Sequence, residues 1–177
     1  MKKITLIICL IIFITLINKK NVNSKEITIP YEAIRLRVLA NSNNEYDQKI
    51  KMLLSIKLES KIQDLLKNTN NVEEARLIIK DNINELNDYI SLILKEENYN
   101  DTYRLTFGKT FFPEKKYNGV IYEKGYYESV LVTLGKGQGN NWWCVLFPPL
   151  CLMEAEDNNT NDVEYKFFVK ELLNKYF

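Results

Sequence analysis

The residue types that carry most enzyme chemistry are scarce in this chain. None of its 177 residues is histidine. Without imidazole the chain cannot build a Ser-His-Asp or Cys-His nucleophilic centre, and it lacks the usual general base at neutral pH. Zinc sites that need imidazole ligands are excluded for the same reason. Catalysis by carboxylates alone remains open, and the sequence indicates neither a metal nor another cofactor.

Three glycines alternate in the run Gly135-Lys136-Gly137-Gln138-Gly139. Their spacing matches neither the dinucleotide-binding fingerprint nor the P-loop, and no clear helix start follows them. The pattern is more typical of a hairpin turn, in which glycine supplies positive φ angles. A phosphate-binding role is therefore not predicted.

Cys144 and Cys151 lie seven residues apart, with Pro148 and Pro149 between them. In an oxidising compartment such thiols tend to pair. The prolines bend the chain, so the two Cα atoms can come within the ~4.4–6.8 Å that a disulfide requires. We predict a Cys144–Cys151 disulfide, with two buried reduced cysteines as the alternative. A metal site at these cysteines lacks further ligands.

Large side chains are densest in the run from Trp142 to Cys151. Adjacent residues of a strand point to opposite faces, so one of Trp142 and Trp143 can enter the core while the other faces outward. An outward tryptophan beside Pro148 and Pro149 is typical of a protein-binding hot spot. The alternative is that both tryptophans fill the core.

The amino terminus has the pattern of an export signal. Two lysines precede an apolar run over residues 4–17, which as a helix would span roughly 21 Å, less than the ~30 Å hydrocarbon core. We predict an export signal over residues 1–24 with cleavage after Ser24, or alternatively a retained membrane anchor. Residues 25–177 would then form a single extracytoplasmic domain, whose membrane contact is transient if the signal is removed.

Electrostatics give no indication of a nucleic-acid partner. The formal charge of the chain is +1, and the first 24 residues contribute four lysines and no acids. The remainder is therefore mildly acidic, which disfavours binding to phosphate backbones.

The next segment, residues 26–40, has the period of a strand. Ile34, Leu36 and Val38 alternate with Arg35 and Arg37, which is typical of a half-buried strand. The two arginines would lie on one face, either solvated or forming a basic strip for a partner.

A pair of helices is predicted next. Ser42 and Glu45 have the spacing of a capping box, and a helical period continues to about Lys67. After a turn at residues 68–71, Asn71 is a suitable N-cap for a second helix that ends near Leu94. The short connection implies that the two helices are antiparallel.

The period changes to two from Tyr99 onward. We predict strands over residues 103–108, 127–134 and 142–147, a charged loop over 113–119, and a final helical element over 163–177. The predicted fold class is α+β: an antiparallel helix pair packed on a small, mainly antiparallel sheet, with an additional C-terminal helix.

The run from Asn141 to Cys151 resembles the signature of the stage II sporulation protein R family. Residues 34–42, 47–51 and 108–113 resemble further blocks of that family, in the same order. The resemblance extends over residues 34–153, but the helix pair and the tail are not matched. Asn140 stands where the family has an acidic residue.

The resemblance implies a role in endospore formation. Members of the family are exported from the forespore into the space between the forespore and mother-cell membranes. There they activate a membrane-embedded aspartic protease of the mother-cell membrane, which processes the precursor of sigma factor E. The chain would then be a signalling ligand and not an enzyme.

On this interpretation the tryptophan and proline residues anchor the contact with the protease or support the anchor, and three basic residues provide polar contacts. The candidates are Trp142, Trp143, Pro148, Pro149, Arg35, Arg37 and Lys109. One alternative is an exported cell-wall enzyme that uses two carboxylates roughly 5–9.5 Å apart. Another is a membrane-anchored structural protein.

Overall fold

The computed structural model describes residues 27–117, 120–151 and 162–177, with only the backbone described for Tyr117 and residues 162–168. The predicted export signal or anchor at residues 1–24 lies outside the described residues. Among the helices that are described, none has both the length and the apolar character needed to cross a membrane.

The chain alternates between strands and helices. In order, the described elements are β1 (Ile27–Thr28), β2 (Ile34–Leu39), α1 (Glu45–Leu66), α2 (Val72–Asp81), α3 (Ile83–Glu96), β3 (Tyr103–Phe112), β4 (Lys115–Tyr117), β5 (Val120–Tyr122), β6 (Gly125–Leu134), β7 (Asn141–Phe147) and α4 (Asp162–Tyr176). The main sheet has the strand order β3-β6-β2-β7, and a smaller sheet has the order β1-β5-β4. The predicted α+β class with a C-terminal helix is confirmed.

Helices α1, α2 and α3 cover one face of the main sheet. The alternation along β2 directs Ile34, Leu36 and Val38 to this face, where all three are fully buried. They belong to one apolar cluster with Leu54 of α1 and Ile90 of α3. Burial of this face is the main favourable contribution to the fold.

The opposite face of the main sheet packs against a second, smaller cluster. Ile29, Val120 and Tyr122 contribute from the small sheet, and Val145 contributes from β7. Val169 of α4 completes the cluster and is fully buried. The main sheet therefore lies between a helical layer and a layer formed by the small sheet and α4.

The N-cap of α1 is Asn44 and not Ser42, so the predicted capping box is wrong by two positions. The Oδ1 atom of Asn44 accepts a hydrogen bond from the backbone N–H of Asp47 at 2.7 Å. Ser42 instead accepts from the N–H of Asn44 at 3.1 Å, which holds the turn that precedes the helix. At the next helix the prediction is confirmed, because Asn71 accepts from the N–H of Glu74 at 2.9 Å.

The second predicted helix is divided into α2 and α3 at Asn82. This residue leaves helical geometry, with φ −98° and ψ 10°, and its Nδ2 atom donates to the carbonyl oxygen of Ile78 at 2.8 Å. Asparagine side chains compete with the backbone for such hydrogen bonds. The apolar spacing continues across Asn82, which is why the pattern alone predicts one helix.

The glycine-rich turn has the predicted backbone but not the predicted connection. Gly135 and Gly137 have positive φ angles of 50° and 63°. The strands that they join do not form a hairpin, because β2 lies between β6 and β7 in the sheet. Gly139 packs closely against the residues that follow β2. A Cβ atom at this position would clash with the carbonyl oxygen of Ser42.

The predicted charged loop at residues 113–119 also contains the short strand β4, which pairs with β5. This pairing places a second layer over the main sheet, next to the run from Asn141 to Cys151, which we call the signature segment.

Candidate interaction surface

Trp142 and Trp143 point to opposite faces of β7, and both are half-buried. Trp142 packs against the helix-side cluster, and Trp143 packs against the cluster on the other face. The ring of Trp143 lies 5.4 Å from that of Phe112, and Lys115 Nζ lies 5.2 Å from its centroid. Each tryptophan therefore packs on one of the two apolar clusters, and neither projects freely from the surface.

The segment after Trp143 is mostly enclosed. Cys144 and Cys151 form the predicted disulfide, with their Cα atoms 5.3 Å apart. Pro148 is buried and follows a cis peptide bond, while Pro149 is half-buried. The Nε2 atom of Gln63 donates to the carbonyl oxygen of Leu146 at 3.0 Å, which fastens this end of β7 to α1.

Arg35 is fully buried, so the prediction that it lies on a solvated face or in a strip for a partner is wrong. Its guanidinium carbon lies 3.4 Å from the ring centroid of Tyr127 and 4.9 Å from that of Phe112. Trp143 and Tyr122 follow at 5.7 and 5.8 Å. The small sheet and the carboxyl end of β3 cover the face of β2 on which Arg35 lies. These contacts join residues far apart in the chain, so the alternation along β2 does not predict them.

The buried guanidinium of Arg35 is surrounded by aromatic rings. Its three nitrogen atoms have no hydrogen-bond partner among the described residues. Burial lowers the pKa of Arg35 and raises that of Tyr127. Contacts between a desolvated cation and aromatic faces are favourable, but they do not replace every hydrogen bond lost to water.

Arg37 is half-buried and also engaged within the protein. Its Nη1 atom donates to the carbonyl oxygen of Phe111 at 3.0 Å. With the Asn141 amide oriented so that its oxygen faces Arg37, that oxygen accepts from Nε at 3.0 Å and from Nη2 at 3.3 Å. Burial lowers the pKa of Arg37. These contacts give Arg37 a role in joining β2, β3 and β7.

Lys109 is the one residue of the seven predicted contact residues that is exposed. It lies beside a groove of about 240 Å³ whose walls include Tyr31, Tyr126 and Arg76. Three large aromatic side chains near it are exposed: Tyr126 by 67%, Tyr31 by 55% and Phe111 by 48%. We refer to Tyr31, Phe111, Tyr126 and Lys109 as the aromatic patch.

The aromatic patch is held in place by its neighbours. Phe111 and Tyr126 are register partners on β3 and β6, and their rings meet edge to face at 5.5 Å. Tyr31 stacks on Tyr127 at 5.2 Å, and its hydroxyl donates to Glu123 at 2.8 Å. That hydrogen bond raises the pKa of Tyr31. Preorganised exposed aromatic rings are well suited to bind a protein partner.

A further pattern in the sequence involves two residues of this patch. Phe111-Phe112 and Tyr126-Tyr127 are aromatic doublets on paired strands. Because neighbouring strand residues point to opposite faces, the two members of each doublet lie on different faces of the sheet. Phe112 and Tyr127 are fully buried, and Phe111 and Tyr126 are exposed.

Comparisons with known proteins agree with the resemblance noted from the residues. Residues 30–157 match the family model described as stage II sporulation protein R. A protein of Bacillus subtilis (strain 168), named stage II sporulation protein R, is 38% identical over 164 residues, covering 87% of this chain and 73% of the relative. No solved structure matches the chain. The chain therefore belongs to the stage II sporulation protein R family.

Proposed function

We propose that this protein is an exported signal that contacts a membrane-embedded aspartic protease of the mother-cell membrane and activates it. The protease then processes the precursor of sigma factor E, and the present chain catalyses no reaction itself. Membership of a sporulation family supports the setting. The observation that carries the contact role is the aromatic patch, where three large aromatic side chains are exposed around Lys109.

Two features of the chain support export: a disulfide and an apolar amino-terminal run. The Cys144–Cys151 disulfide is of a kind that persists in oxidising compartments and is rare in the cytosol. The apolar run at residues 4–17, preceded by Lys2 and Lys3, supplies a route across the forespore membrane. These features, together with the family, support a location in the space between the two membranes.

The proposed interface with the protease lies at the aromatic patch and not at the signature segment. Trp142 and Trp143 are half-buried against the two cores and stabilise the domain that presents the patch. Aromatic residues are enriched among those that dominate binding energy. Tyr126, the most exposed of the large hydrophobic side chains described, is the strongest candidate for an anchor.

The test is reconstitution in a host that does not sporulate. The full-length protein, its cognate membrane protease and the sigma factor precursor are expressed together, and precursor cleavage is followed by immunoblot. Cleavage that requires the present protein supports the proposal. Absence of cleavage, with export and folding of both proteins confirmed, contradicts direct activation.

A further inference from the structure

Strand β3 is an edge of the main sheet. It is ten residues long and pairs with β6 along its whole length. On its other side no described strand pairs with it. An edge strand of this length offers a row of backbone donors and acceptors to an added strand.

The backbone groups that face the free edge of β3 can be identified. The N–H of Gly135 donates to the carbonyl oxygen of Thr102 at 2.7 Å. In an antiparallel ladder, residues alternate between hydrogen-bonded and non-hydrogen-bonded pairs. Since the register from Tyr103 to Phe112 is unbroken, Leu105, Phe107 and Lys109 direct their backbone N–H and C=O groups away from β6. In agreement with this, the carbonyl oxygen of Phe111 accepts from Arg37.

A groove of about 530 Å³ runs beside this edge. Its apolar lining comes from Ile83 at the start of α3 and from Leu105 and Phe107 of β3. Arg76 and Glu128 line both this groove and the groove of the aromatic patch, so the two are adjacent. The concave surface therefore extends along the edge of β3 toward Tyr126 and Phe111.

The basic side chains along this surface differ in whether they form ion pairs with described residues. Arg76 contacts Glu128 at 2.6 Å and Glu73 at 3.4 Å. Lys80 and Lys109 are exposed, and neither makes an ion pair with a described residue. Two unpaired cations beside an apolar groove complement a segment that carries both acidic and apolar side chains.

We propose that the free edge of β3 binds an extended segment of the partner protein, which adds to the main sheet as a further strand. Backbone groups of Leu105, Phe107 and Lys109 hydrogen-bond to the segment. An apolar side chain of the segment enters the groove at Ile83, and acidic side chains meet Lys80 and Lys109. The proposal rests on the proposed function, in which the partner is the membrane protease.

A second copy of this chain fits the edge less well. Pairing of two β3 edges across a two-fold axis at Lys109 would set the two copies of this lysine against each other. Like charges that face each other across paired strands are destabilising. The charge of the edge therefore favours an acidic partner segment.

Lys109 allows the backbone contact to be separated from the side-chain contact. Lys109→Ala removes the ammonium group, whereas Lys109→Pro also removes the outward N–H. Proline is tolerated on an edge strand where its N–H would face solvent, and Gly108 accommodates the restriction that proline places on the preceding residue. In the cleavage assay we expect Lys109→Ala to lower activity a fewfold and Lys109→Pro to lower it by more than about tenfold.

Both variants are checked for an unchanged unfolding midpoint. If Lys109→Pro does not fold, the decisive pair is Lys80→Glu/Lys109→Glu against the control Lys49→Glu/Lys67→Glu, which alters charge equally on exposed positions of α1 and its C-terminal end. We expect only the first to lose cleavage.

The outcomes separate the two proposals. No cleavage with the wild-type chain contradicts the proposed function itself. Cleavage with the wild-type chain that Lys109→Pro and the charge-reversed edge leave intact overturns the edge proposal alone. A concentration-dependent dimer in light scattering that Lys109→Pro abolishes would assign the edge to a second copy and would also overturn it.

Discussion

Arg37 donates a hydrogen bond to the backbone carbonyl oxygen of Phe111 at 3.0 Å, although β6 separates their strands in the main sheet. The contact requires the β3–β6 pair to curve, at the end where Phe111 pairs with Tyr126, over the face that carries Arg35 and Arg37. Phe112, the next residue, consequently reaches both Arg35 and Trp143. This curvature encloses the signature segment and leaves Phe111 and Tyr126 on the outside.

The first prediction concerns the buried charge of Arg35. Arg35→Lys keeps the charge but loses the planar stack on Tyr127, and a strongly hydrated ammonium replaces it. We expect this variant to be less stable than the wild type by roughly 1–3 kcal/mol. Arg35→Met keeps similar volume and removes a buried charge whose nitrogen atoms have no hydrogen-bond partner among the described residues, so we expect stability equal to or above that of the wild type.

Urea unfolding of the three proteins tests this ordering. The cleavage assay adds a second criterion, because Arg35→Met should retain activity if Arg35 has no contact with a partner. A folded Arg35→Met protein without activity would contradict the assignment of Arg35 to the core.

The second prediction concerns the aromatic patch. We expect Tyr126→Ala to reduce precursor cleavage about 30-fold, because an aromatic anchor at the centre of an interface contributes about 2 kcal/mol or more. Stability should change by less than about 1 kcal/mol, since the side chain of Tyr126 is 67% exposed. Leu92→Ala on α3 is the matched control, because Leu92 is 53% exposed on a different element.

Equal cleavage by the Tyr126→Ala and Leu92→Ala proteins would remove the patch from the interface. Loss of cleavage with both would indicate a general effect of altering the surface. The prediction therefore depends on the difference between the two variants.

The third prediction concerns the disulfide. Removing both sulfur atoms in Cys144→Ala/Cys151→Ala releases a short loop in the unfolded chain and leaves buried space in the folded one. We expect a loss of about 2–3 kcal/mol in the free energy of unfolding. Dithiothreitol should destabilise the wild-type protein and leave the variant unchanged. A wild-type protein insensitive to the reductant under unfolding conditions would argue that the bond contributes little.

The fourth prediction concerns alkaline pH. Burial raises the pKa of Tyr99 from 10.0 to about 12. The unfolded state therefore loses this proton first as pH rises, and stability falls between pH 10 and pH 12 by an amount on the order of 2 kcal/mol. Below pH 10 both states are protonated and the contribution is constant.

Tyr99→Phe isolates this effect, because the hydroxyl of Tyr99 has no hydrogen-bond partner among the described residues. We expect the variant to lose less stability than the wild type above pH 10 and to match or exceed it at pH 8. Parallel pH profiles for the two proteins, from denaturant unfolding at each pH, would contradict the assignment.

Several local features could be predicted from the sequence because neighbouring residues determine them. The N-cap at Asn71, the positive φ angles of Gly135 and Gly137, and the disulfide between Cys144 and Cys151 all follow from residues within a few positions of one another. The error at Ser42 is also local, since Asn44 is an equally suitable cap and lies nearer the helix.

The candidate site was harder to predict, because exposure depends on what covers each residue. Arg35 and Arg37 have the same place in the alternation of β2, yet one is fully buried and the other is half-buried. The pattern allowed either an outward tryptophan or two core tryptophans at Trp142 and Trp143, and each packs on a core. Lys109 is exposed, and its contact with a partner stays a prediction; the spacing of the sequence did not indicate the exposed aromatic side chains around it.

The sequence by itself determined the periods of the strands and helices, the cap at Asn71, the cysteine pair and the family, because each is a property of nearby residues or of an ordered set of motifs. Only the tertiary structure decided that β2 lies between β6 and β7 and that the end of β3 curves over Arg35. Strand pairing joins residues far apart in the chain, and its free energy depends on which faces can be buried together. That choice placed the tryptophan segment inside the domain and left the edge of β3 and the aromatic patch exposed.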